Sequence, residues 1–475
     1  MSEMDTRLFI NGRFVDGQGG AEVAFEPALG QPLAEVASAS DAQIDEAVQA
    51  ADAAYRTWAK TTPRERSAAL LAIADGIERQ GDALAAVESR NAGKPLRFVK
   101  SGELANVADV FRFYGTAVRN MPAPAAGNYR SATRTSLVRR DPIGVIAQIA
   151  PWNYPLLMAA WKIAPAIAAG NAVVIKPSEM TPLSLIKLSE IFAEVLPPGV
   201  VNVVCGNGPE VGNRLISHDL VRMISLTGDV RTGRAVLQAA AGNTIKRTHL
   251  ELGGKAPVIV CANADLDKLV ETLREASFYN AGQDCTAACR ILAHRDVAQD
   301  LTDRLESMIG TLVYGRPERD DVEFGPVISA RQLERIEGFV SRARSAGYDV
   351  MQGGAAEPDG FFFSPTLVAA PIDAEIVQKE VFGPVLSITP FDDDQQAVDW
   401  ANASEYGLGS SVWSRNGSQA MAIANALEYG VTWVNTHGVM ATEMPHGGMK
   451  NSGYGSDLSM QSLIDYTQIR HIMIE

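Results

Sequence analysis

Cysteine is scarce, with four residues in 475, and nothing in the chain supplies them with a disulfide framework. Spread this thinly, and with no secretory-type start, they fit the free thiols of a reducing cytoplasm. Met1–Arg7 carries acids and no apolar stretch where a signal peptide would need one. The six histidines, His218, His249, His294, His437, His446 and His471, form no metal-spaced pair, and Cys285-x-x-x-Cys289 lacks a second ligand pair, so no metal is expected. Positive charge is also short. Lys and Arg number 42 against 56 Asp and Glu, a net charge of −14, which argues against nucleic acid or an anionic membrane as partner. The one uncharged run of 19 residues, Ile143–Trp161, holds Pro151, Asn153 and Pro155 at its centre. It reads as a buried strand, a turn and a helix start, not a membrane span. There is no G-x-S-x-G elbow, no P-loop and no repeat of 20 to 50 residues.

What is present is an ordinary globular composition, 46% hydrophobic and 21% charged, long enough for two or three domains. Residues 7–40 read as short strands and turns, with Asn11-Gly12 and Asp16-Gly17 as turn signals. Asp41 is the expected N-cap of a helix carrying Ile44, Ala47, Val48, Ala51 and Tyr55 at helical spacing. Further helices are expected from Pro63 to about Gln80, from Asp82 to Ser89 and from Ser101 to Arg119. The Pro/Ala-rich stretch Met121–Gly127 breaks this region. Ser136–Arg140 and Val145–Ile149 then read as strands around an Asp141-Pro142 turn. Strands at Ala172–Lys176, Val200–Cys205 and Met223–Leu226 alternate with helices at Pro182–Leu196, near Val211, and at Arg231–Ala241. This rhythm implies a parallel sheet. It restarts at Ala256–Val260, with a helix at Leu266–Phe278, a strand at Arg290–Ala293 and a helix at Val297–Thr311. A second α/β domain is therefore expected. Tyr466–Ile474 reads as a strand open to pairing with another subunit.

Several residues stand where chemistry is possible, each with a plainer alternative. Cys285, after a Gly282-Gln283 turn, is a candidate nucleophile or a small buried hydrophobe. Glu251, before Gly253-Gly254 in an expected interdomain loop, is a candidate general base or a surface acid. Asn153, between two prolines and two aromatics, is a candidate oxyanion donor or part of a structural turn. Glu179, after Lys176-Pro177-Ser178, could accept from ribose hydroxyls or stabilise a helix N-terminus. Gly206-x-Gly208-x-x-x-Gly212 misses the dinucleotide fingerprint by one residue, and Gly228-x-x-x-x-Gly233 is a second glycine turn.

Six motifs in order resemble the aldehyde dehydrogenase superfamily over nearly the whole chain. They are Ala150-Pro151-Trp152-Asn153, Lys176-Pro177-Ser178-Glu179, Glu251-Leu252-Gly253-Gly254-Lys255, Gly282-Gln283-x-Cys285, Glu380-Val381-Phe382-Gly383-Pro384 and Pro445-x-Gly447-Gly448-x-Lys450-x-Ser452-Gly453. Tyr279–Arg290, Met444–Gly448 and Asp465-Tyr466-Thr467 further resemble the bacterial γ-aminobutyraldehyde (1-pyrroline) dehydrogenases. The resemblance implies a Rossmann-like cofactor domain (1–125 and 142–250), a second α/β catalytic domain (251–445) and a small β oligomerisation segment (126–141 and 460–475). It implies NAD as cofactor and a cytoplasmic homodimer or homotetramer. By the same resemblance, Cys285 forms a thiohemiacetal and then a thioester, Asn153 and the Cys285 amide hold the oxyanion, and Glu251 activates water. Trp152, Lys176, Ser178, Glu179, Gly228, Gly233, Glu380 and Phe382 would hold the cofactor. Asp229, where many members carry Ser, departs from the pattern and would repel a pyrophosphate unless it turns to solvent or pairs with Arg231 or Arg234.

The substrate tunnel is expected from Tyr154, Trp161, Tyr279, Asp284 and His446. A carboxylate next to a nucleophilic thiol opposes thiolate formation, so Asp284 needs a purpose. Pairing with a distal ammonium supplies one, and a cationic ω-aminoaldehyde such as 4-aminobutanal follows. Glu103 and Asp109 are candidates for added charge at the tunnel entrance, with a solvated helix face as the preferred reading. Betaine aldehyde, a simple aliphatic aldehyde, a cysteine hydrolase and a non-catalytic structural or binding protein are the alternatives.

Overall fold

The computed structural model describes residues 4–122, 125–242, 244–354 and 359–475. Met1–Glu3 and, in the Pro/Ala-rich stretch, Ala123-Pro124 fall outside them. Two parallel sheets organise the chain. In the first, Val201–Val203, Ala172–Lys176, Val145–Ile149, Val221–Gly228 and Arg247–Leu252 lie side by side and parallel. Antiparallel Leu8–Ile10 and Arg13–Val15 flank one edge, and Gly453–Tyr454 the other. Ala172–Lys176 is buried at every position, as a parallel strand covered on both faces must be. The second sheet runs Asp349–Gln352, Thr366–Ala369, Val385–Phe391, Arg290–His294, Pro257–Val260, Gly409–Trp413 and Val431–Val434, with only the first strand antiparallel. A third, antiparallel sheet joins Ala125–Ser131, Arg134–Pro142 and Thr467–Ile474. The α/β architecture expected from the alternating rhythm is present.

Three local readings need correction. The first helix, Asp41–Trp58, is capped by Ser40, whose Oγ accepts from the Gln43 amide while the Gln43 side chain accepts from the Ser40 amide. This reciprocal pair outcompetes a cap at Asp41 and leaves that acid in the first turn. Asp141-Pro142 is no turn but the end of a strand, paired with Gln468 and Thr467. The chain bends one step later because Asn171 Oδ1 accepts from both Ile143 and Gly144 amides, at 2.6 and 3.0 Å, with Gly144 at φ 136°. The helix expected at Ser101–Arg119 starts earlier, at Leu96, and carries a π turn at Val99–Glu103 before Leu104–Ala117. The extra residue of a π turn shifts the helical face, and Glu103 is buried rather than solvated. Asp109, six residues on, is exposed as expected.

The helix Pro155–Ala168 is apolar except for Lys162 and buried at all but one position, against the first sheet and the Leu104–Ala117 helix. The uncharged run is thus core, and among the described residues no helix is long and apolar enough to cross a membrane. Four parallel strands of the first sheet end in or beside the conspicuous motifs, at Ile149, Lys176, Gly228 and Leu252. Crevices at the carboxyl ends of such strands are where open α/β sheets bind ligands.

Candidate active site

The Cys285 loop is held in an uncommon backbone shape. Asn280 (φ 52°), Ala281 (φ 54°) and Gly282 (φ 66°) are consecutively left-handed, which costs about 1–2 kcal/mol at each non-glycine residue. Side chains of the motif offset that cost. Asn280 Nδ2 donates to the carbonyl of Asn153 at 2.9 Å, and Gln283 Nε2 donates to the Asn280 carbonyl at 2.9 Å. Gln283 Oε1 accepts from the Ile328 amide at 2.9 Å, tying the turn to the second sheet's domain. Beyond the cysteine, the Thr286 carbonyl faces His437 Nε2 at 2.7 Å, and Ser411 Oγ faces His437 Nδ1 at 2.8 Å. A carbonyl only accepts, so Nε2 carries the proton and Nδ1 accepts from the serine. Burial lowers the His437 pKa to about 4, so the ring is neutral at working pH.

Glu251 sits on the strand Arg247–Leu252, paired with Thr227 and Gly453, not in an interdomain loop. The first sheet's last parallel strand simply runs further than expected and carries the carboxylate on rigid backbone. Cys285 is half-buried, while Glu251 and His446 are buried. Among the described residues, neither Glu251 oxygen, nor His446 Nε2, has a partner at ordinary hydrogen-bond geometry. Asn153 Nδ2 donates to the Gln283 carbonyl at 3.1 Å. An amide carries two N–H groups, so one remains beyond that bond.

Burial, then the charges of Glu251 and Asp284, push the Cys285 thiol well above its usual range. The protein without ligand therefore holds a protonated thiol at neutral pH. Alkylation by iodoacetamide should climb about tenfold per pH unit without levelling by about pH 9, because only the thiolate reacts. A plateau below about pH 8 would show a preformed thiolate instead.

The expected cofactor residues stand at strand ends and in the loops beside them. Lys176 Nζ is buried, donating to the Pro177 and Gly206 carbonyls at 2.8 Å each and lying 3.4 Å from Glu179 Oε2. Glu179 is partly exposed. Ser178 Oγ accepts from the Met180 amide at 3.3 Å, which makes it a turn former. Gly228 ends its strand, and Gly233 lets the Val230–Ala240 helix meet Leu252, since a Cβ there would lie 2.7 Å from Leu252 Cδ1. Asp229 caps that helix, its Oδ1 accepting from the Thr232 amide at 2.6 Å, and is exposed. The cap resolves the departure: the carboxylate turns back onto its own helix and toward solvent. Glu380 Oε1 accepts from the Gly254 amide at 2.8 Å, and burial raises its pKa to about 7. Phe382, left-handed at φ 60°, meets Trp152 edge-on at 5.2 Å. A buried ammonium, a flanking carboxylate and close-packed glycines fit a dinucleotide.

The expected tunnel residues form two groups. Tyr154 donates to Asp284 Oδ2 at 2.7 Å and stacks on Tyr279 at 6.3 Å. Asp284 Oδ1 accepts from the Thr286 amide and hydroxyl at 2.6 and 2.7 Å. Trp161 meets His446 edge-on at 5.2 Å. Behind Tyr279 lies a set that sequence reasoning missed. Tyr279 donates to Glu103, which pairs with Lys94, and Lys94 also donates to Glu88 at 2.9 Å and lies 4.9 Å over the Tyr154 ring. Burial raises the pKa of Glu103 against the opposing pull of the Lys94 ammonium. A second missed cluster lies behind Glu251, where Asp457 is 3.5 Å from Lys162 and 3.4 Å from His249. The backbone of Asp457 bridges that of His446, fixing the ring beside Trp161.

A family model described as the aldehyde dehydrogenase family matches residues 14–472. Among solved structures, PnpE from Pseudomonas sp. WBC-3 is 38% identical, with a TM-score of 0.96 over 99% of this chain and 98% of its own. PnpE has also been solved in complex with nicotinamide adenine dinucleotide, at the same identity and TM-score. A betaine aldehyde dehydrogenase from Staphylococcus aureus, in complex with NAD+, is 33% identical, with a TM-score of 0.95 over 99% of this chain and 95% of its own. An aldehyde dehydrogenase from Bacillus cereus, solved as a mutant, is 34% identical, with a TM-score of 0.96 over 99% of this chain and 96% of its own.

Proposed function

This chain belongs to the aldehyde dehydrogenase family and is an NAD-dependent enzyme, and from that premise we propose that its substrate is an ω-aminoaldehyde such as 4-aminobutanal, in equilibrium with 1-pyrroline. The observation that carries this reading is the direction of Asp284. Its Oδ2 accepts from the Tyr154 hydroxyl, on the aromatic wall of Tyr154 and Tyr279. A carboxylate with a lone pair to spare beside two aromatic faces suits an ammonium group.

In this reading Cys285 gives up its thiol proton to solvent and attacks the aldehyde carbon as the thiolate, and Asn153 Nδ2 and the Cys285 amide hold the oxyanion of the thiohemiacetal. Bound NAD supplies the hydride acceptor. Glu251 then takes a proton from the water that hydrolyses the Cys285 thioester. Glu179 favours NAD over NADP, because a carboxylate at the ribose 2′ position repels a phosphate. The three-stranded sheet exposes Tyr129, Ile469, Met473 and Ile474, which supports a homodimer or homotetramer built on that segment. Polyamine breakdown in the cytoplasm is the setting that such a substrate suggests.

Asp284→Asn tests the substrate directly. Its kcat/KM for 4-aminobutanal should fall about ten- to hundredfold, since a hydrogen bond to a charged group is worth about 1.5–3 kcal/mol. Butanal oxidation should change little. Equal losses on both aldehydes would mean that Asp284 only supports the loop. Betaine aldehyde is the second reading, favoured by the Staphylococcus aureus relative. A quaternary ammonium suits aromatic faces but has no N–H to donate to a carboxylate, so its oxidation would survive Asp284→Asn better than that of 4-aminobutanal.

A further inference from the structure

We propose that Cys285, Glu251 and His446 together form a binding site for one thiophilic divalent cation such as Zn2+. The thiol, one carboxylate oxygen and one ring nitrogen all lie within 4.8 Å of one another, and His446 Nε2 is 3.7 Å from Glu251 Oε1. Ligands at about 2.0–2.3 Å from a tetrahedral zinc stand roughly 3.5 Å apart, so closing the site takes small side-chain movements. Glu251 and His446 are each 2% exposed, and among the described residues the atoms they turn inward have no partner at ordinary hydrogen-bond geometry, the Cys285 thiol being the polar neighbour of Glu251. Buried polar atoms left so cost free energy unless a ligand takes them up. Thiolate, imidazole and carboxylate are a donor set that zinc accepts, with water in the fourth position.

The sequence could not show this set, because its members come from a strand, a left-handed loop and a bridge to Asp457 rather than from one spaced motif. His446 is the distinctive member. Trp161 and the backbone bridge to Asp457 hold its ring in place, with Nε2 toward Glu251. On binding, the thiol loses its proton to solvent and an S–Zn bond forms. The carboxylate and the neutral imidazole donate lone pairs, and nothing is oxidised or reduced. The cation then covers both the thiol and the carboxylate, so it blocks aldehyde oxidation until a chelator removes it.

The test uses the full chain, stripped with EDTA and free of cofactor and aldehyde, so it does not depend on the substrate assignment. Co2+ is titrated as a spectroscopic probe, and Zn2+ by competition with a chromogenic chelator. One equivalent should bind, with a thiolate-to-cobalt charge-transfer band in the near ultraviolet and release of a proton. The band should vanish in Cys285→Ser. His446→Phe and His446→Asn, checked for fold by circular dichroism, should each weaken Zn2+ by at least about tenfold, since losing even an outer partner of a ligand costs about 10–100-fold. Should both His446 variants misfold, Glu251→Gln must show the same weakening. Binding without the charge-transfer band, or equal affinity in folded variants and wild type, overturns the proposal.

Discussion

Glu251→Gln is expected to give a burst of NADH close to one per active site and then a steady rate about 10²–10⁴ lower than wild type, the range that a positioned general base contributes. Glutamine keeps the shape of the side chain on the strand Arg247–Leu252 but cannot take a proton from water. Attack by Cys285 as the thiolate, its proton released to solvent, does not need that service, so the first turnover survives. Glu251 also raises the Cys285 pKa through its charge. Its neutralisation should therefore lower that pKa, and alkylation of the variant should be faster than of wild type at any pH below the plateau. A variant that is slow from the first turnover, with no burst, would place Glu251 in the attack step and contradict this division of roles.

Gly282→Ala is expected to reduce kcat/KM by at least about 10²-fold. A Cβ at this position would lie 2.3 Å from the Gly383 carbonyl oxygen and 3.1 Å from Pro384 Cα, both backbone atoms that cannot swing aside. The residue's φ of 66° adds the usual penalty for a side chain in the left-handed region. The loop must shift, and the Cys285 thiol with it. A displacement of about 1 Å from the productive geometry costs about 10²-fold. Gly81→Ala is the matched control, because a Cβ there meets nothing within 4 Å. Its activity should match wild type. Near-normal activity in Gly282→Ala would show that the left-handed turn does not set the thiol's position.

Much of this site could be read along the chain, and what could not has physical causes. The parallel strands announced themselves by continuous β-branched runs such as Ala172–Lys176, because burial on both faces leaves only apolar residues tenable. Asn153, Cys285 and Glu251 stood in short motifs whose chemistry depends on neighbours in sequence. Glu103 was misread because a π turn moved it across the helix face, and periodicity counts assume regular turns. Glu251 was placed in a loop because the adjacent glycines look like loop residues, yet Gly253 and Gly254 begin only where the strand ends. The partners of Asp284 and His446 come from distant segments, Tyr154 in one case and Trp161 in the other, and pairing of that kind has no local signature. Asp229 needed the helix start behind it to be understood as a cap.

The most direct measurement is kcat/KM of the wild-type enzyme, with NAD, for 4-aminobutanal and for succinate semialdehyde. The two chains carry opposite charges at the end remote from the aldehyde, and Asp284 should separate them. The expected result is a preference for 4-aminobutanal of at least about tenfold, equivalent to about 1.4 kcal/mol. Equal rates, or a preference for succinate semialdehyde, would contradict the assignment of Asp284 to an ammonium group.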